Sequence, residues 1–325
     1  MILVVGGAGY VGSHTAKGLL DGRYDIVVFD NLSQGHRELV LGDNFVEGDL
    51  LDADSLRRAF ERYPIDAVMH FAALTAVGES VRDPQAYYRN NVTGTLNLLE
   101  AMREHNVRKL VFSSSAAVYG DPNQVPIPEG HPKLPVNPYG RTKWMMEQIL
   151  NDCDRAYGLR SIALRYFNAA GSDPEGDIGE WHEPETHLIP IVLEAALGGR
   201  PHVEIFGTDY DTPDGTCIRD YIHVVDLAAA HLLALEHLTA GGGSGAFNLG
   251  TGEGHSVREV IDVCREVSGR EIPVSEGARR PGDPPRLVAD PSWARDGLRW
   301  EARHPQLSEI VETAWTWMTR RNVQV

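Results

Sequence analysis

The chain has few cysteines, a deficit of cationic side chains and no long apolar run. Its three cysteines, Cys153, Cys217 and Cys264, show no CxxC spacing. That argues against a disulfide framework and a thiolate metal site, and it fits reduced thiols in a cytoplasmic protein. Against 46 acidic residues stand only 30 Lys and Arg, for a formal net charge of −16 at pH 7. Such a balance disfavours nucleic acid and anionic membrane surfaces as partners. No apolar stretch approaches the ~20 residues of a membrane span. The chain opens directly on an apolar strand, so no secretion signal is expected. Internal repeats are absent, and the one low-complexity patch, Gly241-Gly-Gly-Ser-Gly245, reads as a flexible surface loop. His14, His105, His131 and His223 lack ligand spacing with one another, and no metal is assigned.

What is present begins at the N-terminus. Met1-Ile-Leu-Val-Val5 is an apolar run suited to a strand buried on both faces of a parallel sheet. The loop after it fits both Gly7-x-Gly9-x-x-Gly12 and the wider Gly6-x-x-Gly9-x-x-Gly12. Small residues there let backbone N–H groups approach a pyrophosphate at a helix N-terminus. A helix is expected over Ser13–Leu20 and a second strand over Asp25–Phe29. Asp30 follows, 18 residues after Gly12, where a carboxylate accepts from adenosine ribose hydroxyls and repels a 2′-phosphate; this favours NAD over NADP. A glycine motif alone is most often a tight turn. Strand, helix, second strand and acid in register make that reading improbable.

The alternation continues. Val46–Leu50 reads as the end of a third strand carrying Asp49, Ala67–Ala73 as a fourth and Lys109–Ser115 as a fifth, with a helix over Asn91–Arg103. These predict an α/β fold with a doubly wound parallel sheet, whose ligands gather outside the carboxyl ends of its strands. Asp30, Asp49, Phe71 and Ser115 lie at such ends, whereas His70 reads as a satisfied core residue. The chain is long enough for two intimately joined domains. After about Tyr166 the rhythm loosens, with Pro, Gly and acids crowding Ser172–Glu185 before an apolar helix over Leu188–Leu197. The division expected is a nucleotide-binding domain over 1–165 and a smaller α/β substrate domain over 166–325. Parts of 225–250, the helix Asp226–Leu235 and the strand Ala246–Gly250, are candidates to pack back on the first.

Ser115, Tyr139 and Lys143 make a compact acid/base set. A free tyrosine, of pKa about 10, is a poor base at neutral pH. Lowering it by about 3 units takes roughly 4 kcal/mol of selective phenolate stabilisation. An exposed ion pair supplies about 1 kcal/mol or less, so the pair needs a water-poor cleft and a cationic nicotinamide beside it. Positions i and i+4 of a helix share a face, and Pro138 suits its start. A bare YxxxK is usually a core aromatic and a surface lysine; a strand-end serine and an upstream dinucleotide loop reverse that preference.

Taken with these motifs, the segments GGAGYVGSH, DNLSQGHR, HFAALTAVGES, FSSSAAVYGD, NPYGRTK, RYFNAAG, DGTCIRDYIHVVDLA, FNLGTG and RRPGDPP show that the chain resembles the extended short-chain dehydrogenase/reductase family along essentially its whole length. The resemblance implies an isomerase that epimerises a UDP-hexose at C4 with tightly bound NAD, through a transient 4-keto sugar. By the same likeness Tyr139 is the base, Lys143 tunes it and orients the nicotinamide ribose, and Ser115 assists proton movement. NAD contacts are implied for Gly6, Gly9, Tyr10, Val11, Gly12, Asp30, Asn31, Asp49, Leu50, Phe71, Ala72, Ala73, Asn90, Ser113, Tyr139, Lys143, Tyr166 and Phe167. For the UDP-sugar they are implied for Ser115, Asn168, His187, Leu188, Phe206, Arg219, Tyr221, Arg280, Asp283 and Leu287. The guanidinium groups of Arg219 and Arg280 suit a diphosphate in an otherwise acidic protein. A homodimer is also implied, with Asn91–Arg103 and Trp144–Asp154 as candidate faces.

Three positions depart from the family pattern. Thr75 stands where some members carry a lysine near the cofactor phosphates, His187 where others have asparagine beside the uridine diphosphate, and Leu287 where bulk at the sugar pocket varies. Leucine is intermediate in size, which leaves UDP-N-acetylhexosamines as alternative substrates; a UDP-uronic acid is a further alternative, since one extra donor could read a carboxylate at C6. A 4,6-dehydratase needs an additional acid and base beside the serine, and Ala116-Ala117 provide none. A catalytically idle NAD-sensing protein on the same fold is the rival from another class.

Overall fold

The structure, a computed structural model, describes residues 1–280 and 282–323; Pro281, inside the Arg279–Pro285 motif, and the last two residues lie outside the described residues. In chain order it runs β1 (Ile2–Val5), α1 (Tyr10–Asp21), β2 (Ile26–Asp30), β3 (Phe45–Glu47), α2 (Ala53–Arg62) and β4 (Ala67–His70). Short helices α3 (Val77–Arg82) and α4 (Pro84–Tyr87) lead to α5 (Gly94–Glu104), β5 (Lys109–Ser115), α6 (Pro138–Tyr157) and β6 (Arg160–Tyr166). Then come β7 (Asn168–Ala170), α7 (Leu188–Ala196), β8 (Val203–Phe206), β9 (Ile218–Arg219), β10 (Tyr221–His223) and α8 (Val224–Thr239). The chain finishes with β11 (Gly245–Leu249), β12 (His255–Ser256), α9 (Val257–Ser268), β13 (Val274–Gly277), β14 (Arg286–Leu287), α10 (Ser292–Leu298) and α11 (Leu307–Val323).

Alternation within the apolar strands builds two cores at once. Ile2, Val4, Ile26, Val28, Ala67 and Met69 face one layer, where α1 and α8 contribute Ala16, Leu19, Leu227, Ala230 and Leu235. Leu3, Val5, Val27, Phe29 and Val68 face the other, against Leu56, Leu98, Met102 and Leu150. Seven parallel strands result, ordered β3-β2-β1-β4-β5-β6-β11. This is the doubly wound α/β fold expected from the sequence. The chain leaves β3 on one side of β1 and returns as β4 on the other, which opens the crevice at the strand ends. Smaller sheets, β7 with β10, β9 with β12 and β14, and β8 with β13, surround a third core of Ile189, Val192, Val203, Ile205, Val260 and Ile310.

Several elements differ in extent from expectation. β4 stops at His70, because the Phe71 and Ala72 N–H groups both donate to the Val5 carbonyl, at 2.7 and 3.1 Å, and the chain quits the ladder. The helix expected from Asn91 starts as a wider π turn over Tyr88–Thr93, and α5 proper begins at Gly94. β11 pairs with β6 from Gly245 against Ile162 to Leu249 against Tyr166. His70 is buried and half satisfied: Nε2 lies 2.8 Å from Thr95 Oγ1, while Nδ1 has no partner.

Candidate active site

The glycine loop links β1 to α1 through a close approach. A Cβ on Gly12 would lie 2.2 Å from the Gly6 carbonyl oxygen, so only glycine lets the helix start there. No side chain caps α1, and its first turn holds no carboxylate. The free N–H groups and the positive end of the helix are thereby left to an anion. Asp30, at the end of β2, is buried beside them. Its Oδ2 accepts the Ala8 N–H at 3.0 Å and its Oδ1 the Leu32 N–H at 2.9 Å. Burial pushes this carboxyl up, and the N–H groups of Leu32, Ala8 and Asn31 oppose it. Asn31 donates to Asp49 Oδ2 at 2.8 Å, and Leu50 is buried next in sequence. Across β1, Phe71, Ala72 and Ala73 follow β4, and Asn90 donates to Asn91 Oδ1 at 3.0 Å. Tyr10, preceding Val11 in α1, reaches over the crevice to give its hydroxyl hydrogen to the Gly171 carbonyl at 2.6 Å. An uncapped helix start, a buried carboxylate one strand away and small residues between them fit a dinucleotide.

Ser115 is the last residue of β5, and Tyr139 and Lys143 lie in the first two turns of α6. Asn137 caps α6 by accepting the Gly140 N–H at 2.8 Å. Gly140 lets the helix approach the chain after β5: a Cβ there would sit 2.4 Å from the Ala117 carbonyl oxygen. This approach brings Tyr139 to Ser115. Burial pushes the Tyr139 phenol up, and its hydrogen bond with Ser115 pulls it back. Lys143 is 3% exposed, donates to the Ser113 carbonyl at 2.7 Å and lies 5.0 Å from the Phe112 ring centroid and 5.9 Å from that of Tyr139. Burial pushes its ammonium down to about 7, against the opposing charge of Glu147. The protein's own groups therefore leave the tyrosine above its ordinary pKa. The lowering that base catalysis requires falls to a cation bound at the crevice. Tyr166 completes this floor with its hydroxyl 2.5 Å from His231 Nε2 and close to Ser113.

Two supporting groups were not read from the sequence. Asn91 accepts the Leu74 N–H at 2.8 Å and donates to the Leu74 carbonyl and Thr142 Oγ1 at 3.0 and 3.1 Å. It thus ties the strand-4 crossover to the tyrosine helix from inside a π turn, a distortion frequent at functional sites. The Asn90-Asn91 pair breaking an apolar helical pattern was the available signal. Beneath α6, Glu147 and Arg165 form a buried bidentate pair at 3.0 and 2.6 Å. Ser114 joins it at 2.5 Å, and Tyr119 extends it from Arg165 (2.8 Å) to Asn248 (2.6 Å).

The opposite wall gathers the expected sugar-nucleotide residues in groups. Arg219 forms an ion pair with Asp283 and donates to the Ile218 carbonyl at 2.7 Å. Leu287 pairs with Arg219 in register and packs, with Phe167, on the cluster that includes Ala116 and Val118, next to Ser115. Tyr221 pairs with Asn168 between β10 and β7. The Arg280 guanidinium lies over the Phe206 ring, 4.0 Å from its centroid. His187, just before Leu188 and α7, is turned to other partners: its Nδ1 is 2.5 Å from Glu180 Oε1, with His182 and Glu185 alongside. Burial would lower the His182 imidazole, but Glu180 and Glu185 push it up to about 10.

A dinucleotide crevice at the switch point of the sheet, with a tyrosine and a lysine on the helix beside it, is the architecture of a nucleotide-dependent α/β enzyme. The family model of the "NAD dependent epimerase/dehydratase family" matches residues 2–250, and the chain belongs to that family. Within it, the chain is 55% identical over 316 residues to the UDP-glucose 4-epimerase of Halalkalibacterium halodurans, covering 97% of this chain and 95% of the relative. Among solved structures it is similar to the UDP-glucose 4-epimerase from Brucella ovis in complex with NAD, with a TM-score of 0.94, 54% identity and 97% coverage of each chain. The enzyme of the same name from Bifidobacterium longum, in complex with NAD+ and UDP, gives a TM-score of 0.94 at 40% identity over 99% of this chain and 98% of that one.

Proposed function

We propose that this protein interconverts UDP-glucose and UDP-galactose by epimerisation at C4 with tightly bound NAD. The observation that carries the reading is the set of Ser115, Tyr139 and the buried Lys143 at the carboxyl end of β5, opposite an uncapped glycine-loop helix. Ser115 holds the substrate hydroxyl against Tyr139, whose phenolate oxygen takes the proton and later returns it. Lys143, dehydrated and anchored on the Ser113 carbonyl, places positive charge beneath the phenol and donates toward the nicotinamide ribose. NAD, when bound, supplies the hydride acceptor and donor for C4. The α1 N-terminus holds its pyrophosphate, Asp30 and Asn31 its adenosine ribose, and Asp49 and Leu50 border the adenine end. Asn90, Phe71, Ala72, Ala73, Ser113, Tyr166 and Phe167 line the remainder.

Arg219 and Arg280 hold the diphosphate, Asp283 accepts from the uridine ribose, and Asn168, Tyr221 and Phe206 complete that pocket. Release of Arg219 from Asp283 onto phosphate keeps the charge satisfied in both states. A nucleotide gripped in this way leaves the sugar free to present either face. Ala116 and Ala117 follow Ser115, so no carboxylate stands where a dehydratase needs one. We assign residues 1–165 to NAD and 166–325 to the sugar nucleotide, with β11 and α8 returning to the first unit. A homodimer is supported by Leu96 and Met145, apolar and each 43% exposed on α5 and α6. A cytoplasmic setting is in keeping with free cysteines and with the finding that no described helix is long and apolar enough to cross a membrane.

The deciding experiment is chromatography of UDP-galactose after incubation with purified protein and no added cofactor. Conversion to a near-equilibrium mixture with UDP-glucose is expected, with NAD recovered from the denatured protein. No conversion in the presence of recovered NAD would overturn the substrate assignment and point to an N-acetylated or uronic UDP-sugar.

A further inference from the structure

Between β7 and α7 the segment Glu180-Trp181-His182-Glu183-Pro184-Glu185-Thr186-His187 brings four ligand-type side chains to one place. Glu180, His182, Glu185 and His187 each offer one ligand atom, all within 4.8 Å of one another. We propose that these four side chains form a binding site for a single first-row divalent cation, with Zn2+ the best fit.

The spacing carries the argument. His182 Nδ1 lies 3.4 Å from Glu180 Oε1 and 3.5 Å from Glu185 Oε2, and His187 Nδ1 lies 3.6 Å from Glu185 Oε1. Donors bonded tetrahedrally to zinc at ~2.1 Å sit ~3.4 Å apart. All three are too long for good hydrogen bonds; the two from His182, to Glu180 Oε1 and Glu185 Oε2, match edges of one such tetrahedron, while the third runs to the other Glu185 oxygen. The fourth, His187 Nδ1 to Glu180 Oε1 at 2.5 Å, is a hydrogen bond; it must open by about 1 Å to make the same edge. His182 Nδ1 supplies an independent observation: the atom is buried and has no hydrogen-bond partner, although carboxylate oxygens flank it on two sides. A buried unpartnered nitrogen is costly. As a lone pair aimed at a cation it is accounted for.

Charge and support agree with the geometry. Both carboxylate side chains are 5% exposed; without a metal the two imidazoles they hold protonated balance them, and a dication would do the same while releasing those protons. Glu185 Oε1 already accepts the Thr186 and His187 N–H groups at 2.7 and 2.9 Å, which aims Oε2 at His182. The Trp317 indole donates to the Glu180 carbonyl at 3.0 Å and fixes the first ligand's backbone. Imidazole and carboxylate together favour Zn2+ over Mg2+ or Ca2+, which take oxygen alone. His187, half exposed, leaves a path for entry. The adjacent acidic group of Asp173, Glu175 and Asp177 differs, for the Lys17 ammonium already lies 2.8, 2.8 and 3.6 Å from its oxygens. A bound cation would fasten the segment where the His182 ring meets the Tyr10 ring edge-on, 6.2 Å between centroids, and so to the first turn of α1.

The test uses the full chain, stripped with a chelator and exchanged into metal-free buffer. Calorimetric titration with ZnCl2 should show one saturable site per chain, and CoCl2 should give the intense visible absorption of tetrahedral Co2+. His182→Ala and Glu185→Gln should each weaken zinc binding by more than about 100-fold, beyond the usual effect of changing an outer-sphere partner. Circular dichroism and NAD content would confirm that both variants fold. The cobalt spectrum needs no variant, so a folding failure leaves the proposal testable. Absence of saturable uptake by the wild-type chain, a weak octahedral cobalt spectrum, or zinc affinity unchanged in both variants would overturn it.

Discussion

The two walls of the crevice are held by different means. On the sheet side, main-chain groups anchor the polar side chains: Lys143 on the Ser113 carbonyl, Asp30 on the Ala8 and Leu32 N–H groups, Asn91 on both polar atoms of the Leu74 backbone. On the facing wall, the cations meet partners on other side chains, Arg219 with Asp283 beside its bond to the Ile218 carbonyl and Arg280 with the face of Phe206. Proton transfer depends on distances held tightly in a dehydrated place. Gripping a diphosphate needs charge that can change partners. A rigid floor and an exchangeable clamp therefore suit two halves of one reaction.

The sharpest way to break this contrast is Tyr139→Phe. Turnover of UDP-galactose should fall by about 10²–10⁴-fold, the range of a lost general base, while the bound NAD measured after denaturation stays constant. Retained turnover would remove the sheet wall from the chemistry. Next in size is the buried pair beneath α6. Arg165→Met alone should cost about 3–5 kcal/mol in urea unfolding, because it strands a buried Glu147, and pairing it with Glu147→Met should recover most of the loss. Arg219→Met, at a partly exposed pair on the clamp, should cost about 1 kcal/mol or less. Equal costs at the two sites would erase the distinction between the walls.

Acid should act through buried histidines on both sides of the crevice, three of them packed about the main sheet and His223 on β10. Burial pushes His14 and His231 down to about 4, and His70 and His223 to about 3. Between the ordinary histidine value and those values the unfolded chain binds protons that the native one does not. The contribution of these four is therefore full above about pH 6.5 and falls as pH drops, by about 1.4 kcal/mol per pH unit for each such histidine. Urea midpoints between pH 7 and 4 check this; a flat profile would contradict it. The smallest expected effect sharpens the sugar pocket. Leu287→Tyr should reduce activity on UDP-N-acetylglucosamine about 10-fold more than on UDP-glucose, the scale of modest steric discrimination. Equal losses in paired assays would show that Leu287 is not a gate.

Legibility followed the range of the interactions. The parallel strands could be read because each is a short apolar run, and the serine, tyrosine and lysine because a strand end and one helical turn set their spacing. The Glu147–Arg165 pair was not legible: in sequence each is an ordinary charged residue, and only the packing of α6 on β5 and β6 buries them together. Asn91 was passed over because the helical period resumes directly after it, and the Asn90-Asn91 pair, the one local signal, does not say that a wider turn aims its amide at Leu74 and Thr142. The Glu180 to His187 cluster escaped a search for ligand spacing because its four residues sit on an irregular segment, where spacing along the chain says little about distance.

By itself the sequence determined a doubly wound sheet, the glycine loop with its acidic partner and the spacing of Ser115, Tyr139 and Lys143, since backbone periodicity and loop sterics act within a few residues. Only the tertiary structure decided which charges are buried, which carbonyl anchors Lys143, that Arg219 and Asp283 begin as partners, and that His187 turns toward Glu180. Those outcomes depend on desolvation and on contacts between segments distant in the chain, and neither is encoded in local order.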